Sequence, residues 1–182
     1  MKVAFIGGGK MAEAILHGVL FGKLAGPKDI SVGEPVTERR EYLTSQFGVN
    51  TDADNLKTAQ QADLVVFAVK PQDLGPVMGQ LKGKLGTDQA ALSIVAGAKV
   101  ETLTKGLGHT SVVRVMPNTP AQIGAGMTLW TCSDGVDESR REMTKSVLGS
   151  IGQEIYVDDE KYMDMATALS ASGPAYVFLF IE

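Results

Sequence analysis

The sequence is poor in the groups that most often carry catalysis or cross-linking. Its 182 residues include one cysteine, Cys132, and two histidines, His17 and His109. A single thiol excludes an internal disulfide framework and fits a reducing, cytoplasmic setting. With no activating partner nearby in sequence, Cys132 reads as a half-buried side chain rather than a nucleophile. The histidines lie outside the glycine- and proline-rich loops and read as surface or packing residues. No basic run is present and the net charge is −4, which excludes the electrostatic footprint of a nucleic-acid binder. No stretch reaches the roughly 18 apolar residues of a membrane-spanning helix. The apolar N-terminus is too short for a signal-peptide core. What remains is an ordinary globular composition, 44% hydrophobic and 21% charged, long enough for one well-buried domain and part of a second.

Glycine, by contrast, is placed with purpose. An apolar β-type run, Val3 to Ile6, feeds directly into Gly7, Gly9 and Ala12 at G-x-G-x-x-A spacing, and a helix-forming segment follows. Gly7 permits a tight turn off the strand, and Gly9 lets the backbone approach a pyrophosphate. Ala12 keeps the helix close to the sheet, and the helix N-terminus presents free N–H groups to the anion. The order strand, glycine loop, helix makes a dinucleotide site the favoured reading.

Alternation continues along the chain. Helical spacing covers Lys10 to Phe21, Thr37 to Phe47, Gln72 to Leu81 and Val100 to Leu107, with a further helical turn closing at Ala59 to Ala62. Strand patterns fall at 29–33, 63–69, 90–95 and 112–116, with a short third strand at Gly48 to Asn50. The continuous apolar run Leu64 to Val69 suits a parallel strand covered on both faces. This rhythm predicts an α/β fold with a Rossmann-type doubly wound parallel sheet over residues 1–158. Further strands are expected at 127–131 and 154–157, the latter at the sheet edge, flanking a helix over 138–150. The acidic residues Asp158, Asp159 and Glu160 mark a boundary, with Asp158 or Asp159 capping a helix that begins near Glu160. Residues 159–182 read as the opening helix of an all-helical dimerisation domain. Its end, Tyr176 to Ile181, is apolar all round and needs cover from further chain or from a partner, so the sequence reads as truncated.

Candidate ligand-binding residues follow strand ends, where open α/β sheets bind ligands. Glu34, after the second strand, can accept hydrogen bonds from an adenosine ribose and favours NAD over NADP. Arg39 and Arg40 are either a solvated helix face or a receiver for a 2′-phosphate. Lys70 can approach a phosphate or ribose, with Pro71 fixing the backbone. The small residues Ala96 and Gly97 would let a nicotinamide ribose pass. Asn118, in a loop stiffened by Pro117 and Pro120, offers a donor and an acceptor to the carboxamide or substrate. Ser172 and Gly173 precede Pro174, and free N–H groups there would suit a substrate carboxylate. A proline-induced helix break is the competing reading.

In this order, the segments Phe5 to Ala12, Phe67 to Pro71, Arg114 to Pro120, Gly124 to Thr128 and Ser170 to Tyr176 resemble the pyrroline-5-carboxylate reductase family over nearly the whole chain. The last two blocks make the resemblance specific, because a generic Rossmann domain lacks them. It implies NADPH- or NADH-dependent reduction of the C=N bond of 1-pyrroline-5-carboxylate to L-proline, the last step of proline biosynthesis. It also implies a homodimer or higher homo-oligomer formed through C-terminal helices, with no nucleic-acid or membrane partner. In such reductases Gly8, Lys10 and Met11 would line the pyrophosphate side, and Glu34 and Asn55 the adenosine. Val69, Lys70, Pro71, Ala96 and Gly97 would follow the ribose and nicotinamide. Ala171 replaces a usual glycine, and Glu34 stands where NADP-using members commonly carry a small hydroxyl residue. No catalytic side chain is identified, and substrate-closing residues are expected beyond residue 182. A β-hydroxyacid dehydrogenase would want a lysine in its helical domain, and residues 162–182 contain none. A non-catalytic NAD(P)-binding module is the remaining alternative.

Overall fold

The computed structural model describes residues 1–171 and 173–182, without the side chains of Ser170, Ala171, Pro174 and Ala175. Among them are eight strands: β1 (Val3–Ile6), β2 (Ile30–Gly33), β3 (Asn50–Asp52), β4 (Leu64–Phe67), β5 (Ala90–Ser93), β6 (Val112–Met116), β7 (Gly126–Cys132) and β8 (Gly152–Tyr156). The helices are α1 (Lys10–Phe21), α2 (Thr37–Phe47), α3 (Asn55–Ala59), α4 (Pro71–Leu81), α5 (Val100–Leu107), α6 (Glu138–Gly149), α7 (Lys161–Ala166) and α8 (Gly173–Ile181). All strands join one sheet in the order β3-β2-β1-β4-β5-β6-β7-β8. The first six are parallel, whereas β7 runs antiparallel to β6 and β8 parallel to β7. The parallel part is the doubly wound sheet expected from the alternating pattern.

Period-2 side-chain alternation divides the strands between two cores. Val3, Phe5, Leu64, Val66, Leu92, Val113 and Val115 face one side with Ile15, Val19, Leu43, Val147 and Leu148. Ala4, Ile6, Val65, Phe67, Ala91 and Val112 face the other with Leu74, Val77, Leu81, Leu103 and Leu107. Every residue of β1 and β4 is therefore buried, which is why these strands are apolar without a polar face. Covering both faces needs helices on both, and the crossovers supply them: α1, α2 and α6 on one, α3, α4 and α5 on the other.

Several expected boundaries shift. The third strand lies at Asn50–Asp52 rather than 48–50, because Val49 is drawn into the core while the strand itself carries exposed or half-buried polar residues. The helix expected to close at 59–62 instead ends at Ala59, where Gln89 reaches in and donates to the Ala59 and Ala62 carbonyls. The opening helix read over 159–182 is divided into α7, a wider π-type turn at Thr167–Ala171, and α8. α7 starts at Lys161 with Glu160 at its N-cap position and no side-chain cap there; Asp159, expected as a cap, accepts the Lys161 N–H at 2.9 Å from one residue earlier. β8 is the edge strand expected near 154–157; it starts two residues earlier and ends one residue earlier than read.

A polar joint fixes α7 to the sheet. Arg114 on β6 is 3% exposed and donates to Glu160 Oε1 and Asp164 Oδ1, each at 2.7 Å. Glu160 Oε1 also accepts the Val100 N–H at 2.8 Å, closing the uncapped start of α5. The hydrogen bond and charge of Arg114 hold the Asp164 carboxyl below its ordinary range. A carboxyl lowered in the folded state contributes stability above its unfolded pKa of about 3.9, lost as pH falls through the lowered value. Neutralising both partners (Glu160→Gln with Asp164→Asn) strands a buried cation and should cost about 3 kcal/mol. Arg114→Met leaves only half-exposed or exposed carboxylates behind and should cost less, about 1 kcal/mol. Urea denaturation at neutral pH checks the order, and the gap between native and Arg114→Met should narrow below about pH 4.

Candidate dinucleotide site

The parallel strands deliver their C-terminal ends to one edge, and β1 sits there between β2 and β4. The Gly7 N–H donates to Gly33 O, and the Ala68 N–H to Ile6 O, each at 2.8 Å, so the three strand ends are laced together. Above them opens a cleft of about 670 Å³ lined by the glycine loop (Gly7, Gly8, Gly9), the β2 end (Gly33 to Val36), Ala53 to Asn55, Ala68 to Lys70, and one face of α4 (Asp73, Pro76, Val77, Gln80). The structure thus brings together Gly7, Gly8, Gly9, Glu34, Asn55, Val69 and Lys70.

Gly7 and Gly9 are glycines for different reasons. Gly7 has φ +97°, and a Cβ there would lie 2.8 Å from Ala68 O, so turn and packing both demand it. Gly9 has an ordinary extended backbone, and a Cβ there would meet nothing within 4 Å. The protein's own packing does not require Gly9. α1 begins directly after it with no side-chain cap, leaving its first N–H groups to an external acceptor. Both observations fit a dinucleotide pyrophosphate lying across the loop.

Glu34 is held by the backbone around it. Oε2 accepts the Gly8 N–H at 2.9 Å and Oε1 the Val36 N–H at 3.0 Å. Arg39 and Arg40 form no solvated face. Arg39 Nε donates to Gly8 O at 2.6 Å, and its guanidinium pairs with Glu13 over the Tyr42 ring. Burial pushes the Glu13 carboxyl up, but hydrogen bonds from Arg39 and Tyr42, with the Arg39 charge, carry it net below its ordinary range. Arg40 donates to Glu34 O at 2.7 Å, Pro35 O at 2.8 Å and Thr37 Oγ1 at 3.0 Å. The Asn55 amide donates to Gln80 Oε1 at 2.9 Å, joining α3 to α4 across the cleft.

Other expected residues lie around the cleft rather than in its lining. The Lys10 ammonium turns to Glu13 at 3.4 Å and borders a separate depression with His17, Phe47 and Gln122. Met11 is half-buried and packs on the core, and Ala12 is buried. Pro71 opens α4. Ala96 and Gly97 form an exposed turn after β5, at the same sheet edge. Asn118 Oδ1 accepts the Met127 N–H at 2.9 Å, which fastens the loop after β6 to β7. Gly173 begins α8, and Ser172 lies outside the described residues. Cys132 is half-buried, and burial raises its thiol pKa, countered in part by Arg141. His109 is buried with Nε2 2.9 Å from Gln89 O, a packing role. Val77 and Gln80 were not singled out from sequence. Val77 belongs to the buried face of α4 and Gln80 is an exposed polar residue beside it, so periodicity marks neither as a lining residue.

The sheet order, the switch point between β1 and β4, and the uncapped glycine-loop helix define an NAD(P)-linked oxidoreductase fold of the Rossmann type. A family model described as NADP oxidoreductase, coenzyme F420-dependent, matches residues 2–97. The pyrroline-5-carboxylate reductase of Synechocystis is 39% identical over all of this chain and 67% of its own. A solved pyrroline-5-carboxylate reductase from Coxiella burnetii superposes with a TM-score of 0.91 at 35% identity, over 98% of this chain and 67% of that one. The Plasmodium falciparum pyrroline carboxylate reductase with NADP bound gives a TM-score of 0.87 at 30% identity, over 100% of this chain and 66% of that one. The chain belongs to the pyrroline-5-carboxylate reductase family and spans about two thirds of the length of these relatives.

Gly9→Ala should leave the thermal midpoint unchanged and weaken dinucleotide binding at least about tenfold, because only the ligand approaches that position. Gly7→Ala should lower both, with a stability loss of about 1–3 kcal/mol from the strained backbone. Thermal unfolding and calorimetric titration with the dinucleotide check the contrast.

Proposed function

We propose that this chain holds the dinucleotide in an enzyme that reduces 1-pyrroline-5-carboxylate to L-proline. The observation that carries the reading is the cleft at the β1–β4 switch point, floored by a glycine that internal packing leaves free, in a chain of this family. When bound, a reduced nicotinamide supplies hydride to the carbon of the C=N bond. The protein's contribution is then chiefly positioning, and no buried acid–base dyad is needed beside the cleft.

The residues divide by strand. Gly9 and the first N–H groups of α1, from Lys10 to Ala12, hold the pyrophosphate, Gly8 lines it, and Gly7 sets the turn. Glu34 and Asn55 border the adenosine. Val69, Lys70 and Pro71 hold the ribose beyond the loop, and Ala96 and Gly97 keep the nicotinamide passage open beside Asn118. Gly173, at the start of α8, receives the substrate carboxylate together with Ser172, which precedes it in sequence. Residues 1–158 form the cofactor-binding unit, and the helices from 159 onward belong to a helical unit joined through Arg114. A homodimer or higher homo-oligomer through the C-terminal helices would cover Tyr176 to Ile181, each more than half exposed on α8. Among the described residues no helix is long and apolar enough to cross a membrane. A cytoplasmic location accords with a single cysteine and a fold held without disulfides.

With the full-length protein, loss of reduced-nicotinamide absorbance should depend on added 1-pyrroline-5-carboxylate and yield proline. Turnover of β-hydroxy acids in place of the imine would overturn the assignment, as would dinucleotide binding with no turnover. Gly173→Val should raise KM for the imine at least about tenfold more than KM for the dinucleotide, since only the carboxylate meets that helix start. Equal effects on both would remove Gly173 from the substrate site.

A further inference from the structure

We propose that Glu34 makes this site select NADH over NADPH, its carboxylate receiving the adenosine ribose hydroxyls and leaving a 2′-phosphate with no cationic partner. The inference rests on the dinucleotide assignment of the cleft and not on the identity of the imine. The family model carries NADP in its description and one solved relative holds NADP, so the proposal sets this chain apart from those proteins.

Charge in the cleft opposes a 2′-phosphate. The cleft lining contains three carboxylates, Glu34, Asp54 and Asp73, and one cation, Lys70. Glu34 follows β2, whereas Lys70 follows β4, on the other side of β1. Two strand spacings, about 10 Å, separate those positions, too far for one phosphate to bridge. Asp54 lies on the adenosine side with Glu34, and its carboxylate is taken up capping α3 through the Leu56 and Lys57 N–H groups. Lys57 is itself paired with Asp52 at 2.6 Å.

Both neighbouring arginines are engaged elsewhere. Either Arg39 or Arg40 would be the natural receiver of a 2′-phosphate, yet neither lines the cleft. The Arg39 guanidinium is held by Gly8 O, Glu13 and the Tyr42 ring. Arg40 is held by two carbonyls and a hydroxyl of the β2–α2 turn, and faces a separate depression with Glu41, Thr44 and Thr51. Recruiting either one would break these bonds. Among the described residues no cation lies within salt-bridge distance of the Glu34 carboxylate, so its charge faces the ligand uncompensated.

The Glu34 carboxylate is itself anchored. Each Glu34 oxygen already accepts one backbone N–H, from Gly8 and from Val36. Swinging aside to admit a phosphate would break both bonds, whereas each oxygen keeps acceptor capacity for a ribose hydroxyl.

Calorimetric titration of the full-length protein with NADH and NADPH, and with ADP-ribose and its 2′-phosphate as fragments, tests the proposal. Kd for the phosphorylated member of each pair should be ~30-fold weaker, equivalent to about 2 kcal/mol. Glu34→Gln keeps the shape and an acceptor and should narrow the ratio below about fivefold, mainly by tightening NADPH. In the unaltered protein, raising the salt concentration should move the ratio toward NADPH by screening the repulsion; an arginine clamp would move it the other way. Equal affinity for both dinucleotides, an unchanged ratio in a folded Glu34→Gln, or the opposite salt trend would overturn it. Binding of neither dinucleotide would remove the cofactor assignment, and the selectivity with it.

Discussion

Burial of β1 and β4 on both faces is the constraint from which the site follows. A strand with no solvated face must lie inside a sheet covered by helices above and below, and only crossovers of alternating side supply that cover. With β1 between β2 and β4, the helices leaving β1 and β4 depart to opposite faces. The gap between them is the cleft. Its position is therefore a consequence of Val3, Phe5, Leu64 and Val66 facing one core while Ala4, Ile6, Val65 and Phe67 face the other. The glycine loop adds chemistry to an opening that the hydrophobic pattern has already made.

Inside that opening, backbone does most of the work and side chains set the sign. The start of α1 carries no side-chain cap, which costs the isolated helix stability but leaves N–H groups for an anion. Glu34 reads the same backbone from the other side, accepting the Gly8 N–H, while Arg39 donates to Gly8 O. The N–H and the carbonyl of one glycine residue, in two successive peptide groups, are thus satisfied by side chains from beyond β1, which fixes the loop before any ligand arrives. Arg39 and Arg40 are better understood as part of that fixture than as free charges. The −4 net charge and the arginine pair in the sequence give no hint of this, because what matters is which carbonyls the guanidinium groups reach.

Legibility in the sequence tracked the strength of the local signal. α1, α2 and α5, with β1 and β6, fall at the residues read from periodicity, and Gly22, Gly48 and Gly108 stand at the C-terminal ends of the three helices. β3 was displaced because a three-residue strand of Asn50, Thr51 and Asp52 has no apolar alternation to locate it. The reversal of β7 was hidden for another reason: strand direction depends on the short loop at 117–125, too short for a crossover helix, and not on the strand's own residues. The glycine loop and the strand-end residues Glu34, Val69 and Lys70 were found by position alone. Orientation was not. Lys10 turns to Glu13, and the Asn118 oxygen is taken by Met127, both set by neighbours distant in pattern though near in space.

The joint at Arg114 connects these two levels. A buried guanidinium on a central strand is expensive to hold in a sheet otherwise apolar, and a methionine there would fill the same space. Its retention makes sense as a registry device. Glu160 touches Arg114 and the first N–H of α5 with one oxygen, so the segment leaving the sheet is fixed against the helix that follows the Ala96–Gly97 turn. Asp164 adds a second point four residues on, which sets the direction of α7 as well as its position. Two ion-paired contacts one helical turn apart define an axis, where a single apolar contact would define only proximity. The acidic triplet at 158–160, read in sequence only as a helix start, supplies the first of those two points.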